Sequence, residues 1–555
     1  MGVTKCPSKM NVKINTYGRG KRMKKTAVFG TIICFVLLLT ACTIGKANTG
    51  EGTGDINDTL TLSWPLDIGP INPHLYDPSE MFAQALVYDP LVSYGDNGKI
   101  QPALAAKWQV SEDGRNYTFT LREGVLYSDG TTLTAENVKR NIEAVIKNKD
   151  RHSWLEAISL IDKVEAIDPL RVRIALKEAY YPFLQELTLI RPLRMLGDSG
   201  FPASGSTAEG IAAPIGTGPW ILTNYVQDSH AEFSRNDHYW GEKPKIKRVV
   251  IKFISDSQTR IMALEKGEID LIFGSGQLAP VEYQTLQQQS NYQTMVSGPL
   301  STRVLAINST VAPTNEKEVR LALQHLVDRK TIVEHLLDGL EEEAESLFSP
   351  GFPYSDIKAG QYPYNIGTAM QLLDQAGWKA VDGKPFRMKG AETLQVTIPY
   401  RSTDAIHKAL LEYLQSAWRE AGIDVKLQPD EPLVYTQKVK AGKFNLTMND
   451  TWGVPYDPHM YIRTMTGENQ LGYYAQKGTA DSETFTENVE KVIRATEEVE
   501  RRALYESILQ SIHDESMLIP ISYRTNYLVA NERVNGLQFT PHQYEVPLSL
   551  YEMKE

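Results

Sequence analysis

The chain has 555 residues, 42% of them hydrophobic and 23% charged, with a formal charge of −10. Single hydrophobic cores stop growing near ~250–300 residues, so this length excludes a one-core protein and implies at least two lobes, while the composition is that of an ordinary globular chain. The acidic balance argues against nucleic acid and against an anionic membrane surface as partners.

The first element is a signal. Lys24 and Lys25 precede an apolar run from Ala27 to Leu39, which ends in Leu39-Thr40-Ala41-Cys42. A basic flank, a short apolar run and small residues before a cut describe a secretory signal peptide. The run is shorter than the ~20 residues a spanning helix needs, and nothing after residue 42 is long and apolar enough either. Residues 1–41 are therefore expected to be removed, with Met23 as the expected start. The L-T-A-C ending resembles the lipobox of bacterial lipoproteins, which implies that Cys42 is lipidated and becomes the mature N-terminus. Without residues 1–41, 50 Lys and Arg face 68 Asp and Glu, a balance of −18. Of Cys6, Cys34 and Cys42, only the last outlasts processing, which excludes an internal disulfide, a thiolate cluster and a catalytic cysteine. Residues 42–57 are rich in Gly, Thr, Asn and Asp and read as a flexible tether.

The folded body begins at Thr59, where Leu60, Leu62 and Trp64 alternate with Thr59, Thr61 and Ser63, the period of a strand. Further strand-like runs are Arg171–Leu176, Arg248–Ile254, Leu394–Ile398 and Ile423–Leu427. Turns at Asp113-Gly114 and Asp129-Gly130 flank strand-like residues and predict a β-rich unit. Helical periodicity follows Thr134 as a cap (Val138, Ile142, Val145), and recurs over 317–337 (Val319, Leu323, Leu326), 404–421 (Ile406, Leu410, Leu414) and 488–513. Strands alternating with helices predict an α/β protein with mixed sheets covered by helices.

Several strings go beyond periodicity. They are Trp108–Thr134, Gly216-Thr217-Gly218-Pro219, Asn236-Asp237-His238-Tyr239-Trp240, and Arg260–Asp270 with its ending Gly267-Glu268-Ile269-Asp270. Together they resemble the large bacterial solute-binding proteins for peptides and nickel, the receptors of ABC importers. The resemblance implies a type II periplasmic-binding-protein-like fold. Its parts would be lobe I over 58–300 with a β-rich subdomain, lobe II over 301–521, and a return to lobe I over 522–555. The ligand would sit in the interlobe cleft and be trapped by hinge closure. It also implies a monomer that partners a membrane permease and an ATPase, held by its lipid on the extracytoplasmic face of the cell membrane.

Four stretches are similar to the nickel receptors within that family: Asp67–Tyr76, Arg151–Glu156, Tyr180–Leu187 with Arg191-Pro192, and Thr451–His459. The implied cargo is nickel, or another divalent transition metal, wrapped in a small chelator of the histidine or metallophore type. No permanent cofactor is implied. A chelated metal presents carboxylate oxygens and flat apolar faces. Arginine suits the former through its planar fork, and Trp and Tyr can wall the latter. The resemblance assigns chelator carboxylate to Arg191 and places Arg151, Trp154, Trp452, Tyr456, Tyr76 and Met81 in the same cleft. The competing structural roles are an acid partner for Arg191, core packing for Trp154 and Trp452, and core filling for Met81.

The pattern departs from the family in one loop. Where nickel receptors supply a metal-ligating histidine, Thr464–Gln470 has none. His459 and His542 are the substitute metal ligands, and a chelator that saturates its metal would need neither. The alternatives are a di- or oligopeptide receptor, which requires an acid for the peptide ammonium, and a secreted enzyme. For the enzyme, the chain lacks H-E-x-x-H, G-x-S-x-G and the phosphate-binding G-x-x-x-x-G-K-[ST].

Overall fold

The computed structural model describes residues 58–75, 81–95 and 98–554. The signal segment, Cys42, the tether and Tyr76 lie outside the described residues. Among the described residues no helix is long and apolar enough to cross a membrane.

The α/β, two-lobed expectation holds. Thr59–Trp64 lies inside a seven-stranded mixed sheet, parallel to Arg248–Phe253 on one side and to Leu271–Phe273 on the other. Its alternation places Leu60 and Leu62 in a core with Val249, Ile251 and Phe233. The outer strands of this sheet pair antiparallel, with Tyr527–Asn531 entering between Tyr292–Val296 and Leu271–Phe273. A C-terminal strand is thus built into the middle of lobe I.

The β-rich subdomain is a four-stranded antiparallel sheet in the order Ala105–Val110, Asn116–Leu121, Arg171–Leu176, Ile161–Asp168. The hairpin turns at Gly114, whose φ of 67° suits glycine. Thr134 caps the helix Ala135–Lys147, accepting from Asn137 N, and Val138, Ile142 and Val145 join the subdomain core.

Lobe II is built on Ser301–Ile307, buried at every position and flanked by Leu446–Asp450 and Leu518–Arg524. Beside it the parallel pair Gln395–Arg401 and Asp424–Asp430 packs under the helix Ala405–Glu420, capped by Asp404. Two predicted helices are broken. The run 317–337 ends its first helix at His325, because Asp328 accepts from Thr331 N and starts a new turn that continues as the π-turn Ile332–Leu336. The run 488–513 falls into Ser482–Val492 and Glu498–Asp514, because Arg501 Nη1 takes the carbonyls of Ala495 and Thr496 at 2.8 and 2.7 Å.

The chain passes between the two sheets twice, after Tyr292–Val296 and after Leu518–Arg524. The passages lie side by side. Ser297 N donates to Asn526 O, Asn526 N to Ser297 Oγ and Leu300 N to Arg524 O, each at 2.8 Å. Two adjacent linkers tied to each other form a hinge, with the cleft at its mouth.

Candidate functional site

The site grows from the end of Leu446–Asp450. Thr451 N donates to Thr302 O and Thr302 N to Thr451 Oγ1, both at 2.8 Å, which pins the next residues against the hinge. Gly453 follows, and a Cβ there would stand 2.1 Å from Leu300 O, so only glycine allows this approach. Gly453 N donates to Gln543 Oε1 at 2.7 Å, joining the segment to the returning C-terminal chain. Asp457 then caps the helix Pro458–Arg463 by accepting from His459 N.

This geometry turns Trp452 and Tyr456 toward lobe I. Their rings lie 5.4 Å apart, and Trp452 meets Tyr461 edge-on at 6.3 Å. Tyr456 meets Tyr544 edge-on at 5.9 Å, and its hydroxyl reaches Met81 Sδ at 4.0 Å. A patch from three distant parts of the chain therefore closes around Tyr456. Met81 lines a void of about 870 Å³ with Trp64, Arg524 and Tyr544. Trp452 lines an adjoining one of about 720 Å³ with Tyr435, Arg401 and Tyr544. A third, of about 1210 Å³, continues past Arg401, His407 and Arg524.

The acids on these walls are engaged by bases. Glu341 binds Arg303 at 2.7 Å, Asp450 binds Arg524 at 2.8 Å, Asp404 binds His407 at 2.9 Å and Glu545 binds Arg194 at 3.2 Å. His407, backed by Arg303, holds the Asp404 carboxyl down to about 2 despite its burial. Arg401 lies 5.2 Å over the Tyr435 ring. The cleft thus carries cationic and aromatic surface, with each of its carboxylates already in contact with a basic side chain.

Arg151 and Arg191 both act on one imidazole. Burial, together with these two charges, holds His152 down at about 4. Arg191 is 2% exposed. Arg151 is exposed and donates to Ala208 O at 3.2 Å. Trp154 is half-buried on the core that also receives Trp452, Tyr544 and Tyr456. The structure thus joins Met81, Trp452 and Tyr456 directly, and the two arginines share an influence on His152. The arginines and Trp154 are not among the residues lining the three voids above.

Both candidate metal histidines are engaged. His459 is 2% exposed, its Nε2 is 2.8 Å from the Tyr180 hydroxyl, and burial pushes it down to about 3. His542 Nε2 donates to Tyr94 O at 2.9 Å, and its Nδ1 is 3.6 Å from Glu545. Among the described residues no three His, Cys, Asp or Glu side chains gather as a metal site. His74, in the first nickel-like stretch, bonds Thr207 and Asn141 at 3.0 and 2.9 Å and ties the edge of lobe I to its subdomain.

Sequence reasoning missed Tyr544, Gln543 and Arg524. They reach the site only through the second passage of the hinge, and no local pattern marks them.

Comparison with known proteins follows the same lines. The family model for bacterial extracellular solute-binding proteins, family 5 middle, matches residues 99–473. The nickel-binding periplasmic protein of Escherichia coli is 40% identical over 491 residues, 88% of this chain and 94% of that protein. The probable D,D-dipeptide-binding periplasmic protein DdpA of the same organism is 27% identical over 538 residues, 94% and 98% of the two chains. The solved structure of NikA from Brucella suis in complex with Fe(III)-EDTA matches with a TM-score of 0.87 at 41% identity, covering 89% of this chain and all of that one.

Proposed function

Because the chain belongs to the bacterial extracellular solute-binding proteins of family 5, we propose that its cargo is a metal–chelator complex, held in the interlobe cleft and handed to the permease and ATPase of an ABC importer. The metal is nickel or another divalent transition ion, and the chelator is a carboxylate-bearing molecule of the histidine or metallophore type. Cys42 carries the lipid that holds the protein, as a monomer, on the extracytoplasmic face of the membrane. More than one acyl chain makes such an anchor stable.

The observation that carries this reading is the pairing of the cleft acids. A peptide receptor needs a carboxylate free to meet an ammonium group. Here Glu341, Asp450, Asp404 and Glu545 each already hold a base. An anionic cargo with flat faces suits what is left. Arg191 and Arg151 hold its carboxylates. Trp154, Trp452 and Tyr456 wall it, with Tyr76 and Met81. The relatives that bind nickel and iron(III)–EDTA support the same chemistry, since EDTA is itself a carboxylate wrapper around a metal.

The metal is saturated by its chelator. Recruiting His459 through Nε2 would break its contact with Tyr180, and recruiting His542 through Nε2 would leave the Tyr94 carbonyl without its donor. Calorimetry with nickel–histidine against a set of dipeptides tests the reading. Binding of the chelate is expected. Binding of dipeptides alone would replace it with the peptide receptor suggested by the 27% identical relative. Mass spectrometry of ligand co-purified from the native host would then identify the chelator.

A further inference from the structure

The stretch Tyr180–Leu187 has no part in the cleft as described, yet it reaches across to lobe II. Gln185 Nε2 donates to Pro455 O at 2.9 Å and to Tyr456 O at 3.1 Å. The Tyr181 hydroxyl donates to Asp457 Oδ1 at 2.6 Å, and the Tyr180 hydroxyl lies 2.8 Å from His459 Nε2. Four residues of 455–459 are thus gripped from lobe I.

This segment has little means of holding itself. Pro455 and Pro458 have no N–H to give. Tyr456 N makes the local bond to Gly453 O at 3.1 Å, and Asp457 is spent capping the next helix. The carbonyls of residues 455 and 456 find their donor across the cleft. A primary amide offers two N–H groups in one rigid plane. Held to two consecutive carbonyls, it fixes the peptide planes on both sides of Tyr456, and so the direction of its ring.

We infer that Gln185 is a positioning residue: with Tyr180 and Tyr181 it forms a clasp from the subdomain of lobe I that presents Tyr456 to the cargo, so that lobe contact and the shape of the ligand wall depend on the same segment. The clasp rests on the reading that Tyr456 walls the ligand. Gln185 touches the backbone behind that wall, and its effect on binding passes through Tyr456.

Gln185→Met keeps the length and the half-buried packing and removes both donors. In the ligand-free mature protein, amide hydrogen exchange at Tyr456, Asp457 and His459 is expected to quicken, while Ser301–Ile307 keeps its protection. With nickel–histidine and iron(III)–EDTA as probes, affinity should fall about three- to tenfold, as expected when the loss of two neutral hydrogen bonds is only partly transmitted to the ligand. In a Tyr456→Ala background that penalty should vanish, the mark of two residues acting as one unit.

Unchanged exchange at residues 456–459 overturns the clasp, whatever the ligand does. A penalty that persists in full without the Tyr456 ring overturns its action through Tyr456. If Tyr456→Ala alone leaves affinity unchanged, the ligand wall falls; quickened exchange in Gln185→Met would still uphold the tie between the lobes. Should Gln185→Met fail to fold, Tyr181→Phe carries the same exchange expectation at Asp457 and His459.

Discussion

Arg191 keeps a guanidinium at 2% exposure, and its charge and that of Arg151 both act on His152. A planar guanidinium can hold a carboxylate in bidentate fashion, and the proposed cargo supplies carboxylate. Arg191→Ala is expected to weaken chelate binding by about 2–5 kcal/mol, the cost of leaving a desolvated carboxylate without its charged partner. Calorimetry with nickel–histidine reads this directly, and an unchanged affinity would take Arg191 out of the site. At this scale the sequence was informative where a residue type carries its own chemistry. Trp452 and Tyr456 lie in a string similar to nickel receptors and Met81 is assigned by the same resemblance, and the fold brings them into contact. Gln543 and Tyr544 were invisible, since Gln543 meets Gly453 from 90 residues away. Gln185 was visible only as part of an unexplained string.

At the scale of elements, the turn Phe183–Glu186 and the helix Pro458–Arg463 meet through buried ionisable groups. Burial pushes the Glu186 carboxyl up to about 8, although the Tyr180 hydroxyl and Ala157 N bond it. Burial likewise raises Asp457 to about 6. Both groups hold their protons longer in the folded state, so stability falls as pH rises from their ordinary values to these. The buried histidines act in the opposite sense. His459 is held at about 3, and His74 and His152 at about 4, so their contribution is lost as pH falls below 6.5. Above pH ~7.5 the histidines and Asp457 have finished titrating, and Glu186 alone of this set still changes. Chemical denaturation should therefore show stability declining by about 0.5–1 kcal/mol between pH ~7.5 and ~9, and Glu186→Gln should flatten that decline. Parallel curves for the two proteins would mean that Glu186 is ionised throughout. Element boundaries show where periodicity stops informing. The 317–337 and 488–513 runs keep helical spacing throughout, but Asp328 and Arg501 offer side-chain partners that cut them.

For the whole molecule, the paired passages at Ser297–Leu300 and Arg524–Asn526 let the lobes move as bodies, and Arg524 spans them by binding Asp450 of lobe II and, at 3.3 Å, Ser275 of lobe I. A chelate seated between Met81 and Trp452 contacts both lobes and favours closure, because it gains contacts only in the closed state. Small-angle X-ray scattering should show a smaller radius of gyration with saturating nickel–histidine than without. Binding without compaction would mean that the lobes are already closed in the free protein. The sequence by itself determined the strands Thr59–Trp64, Arg171–Leu176 and Arg248–Phe253, the helices Ala135–Lys147 and Ala405–Glu420, the two-lobed α/β class and the family, because periodicity and short strings are local properties of a chain. Only the tertiary structure decided that Tyr544 closes on Tyr456, that each cleft acid already holds a base and that Gln185 reaches lobe II. Apart from Asp404–His407, those pairings join residues scores to hundreds of positions apart, and they exist only once the chain has packed in three dimensions.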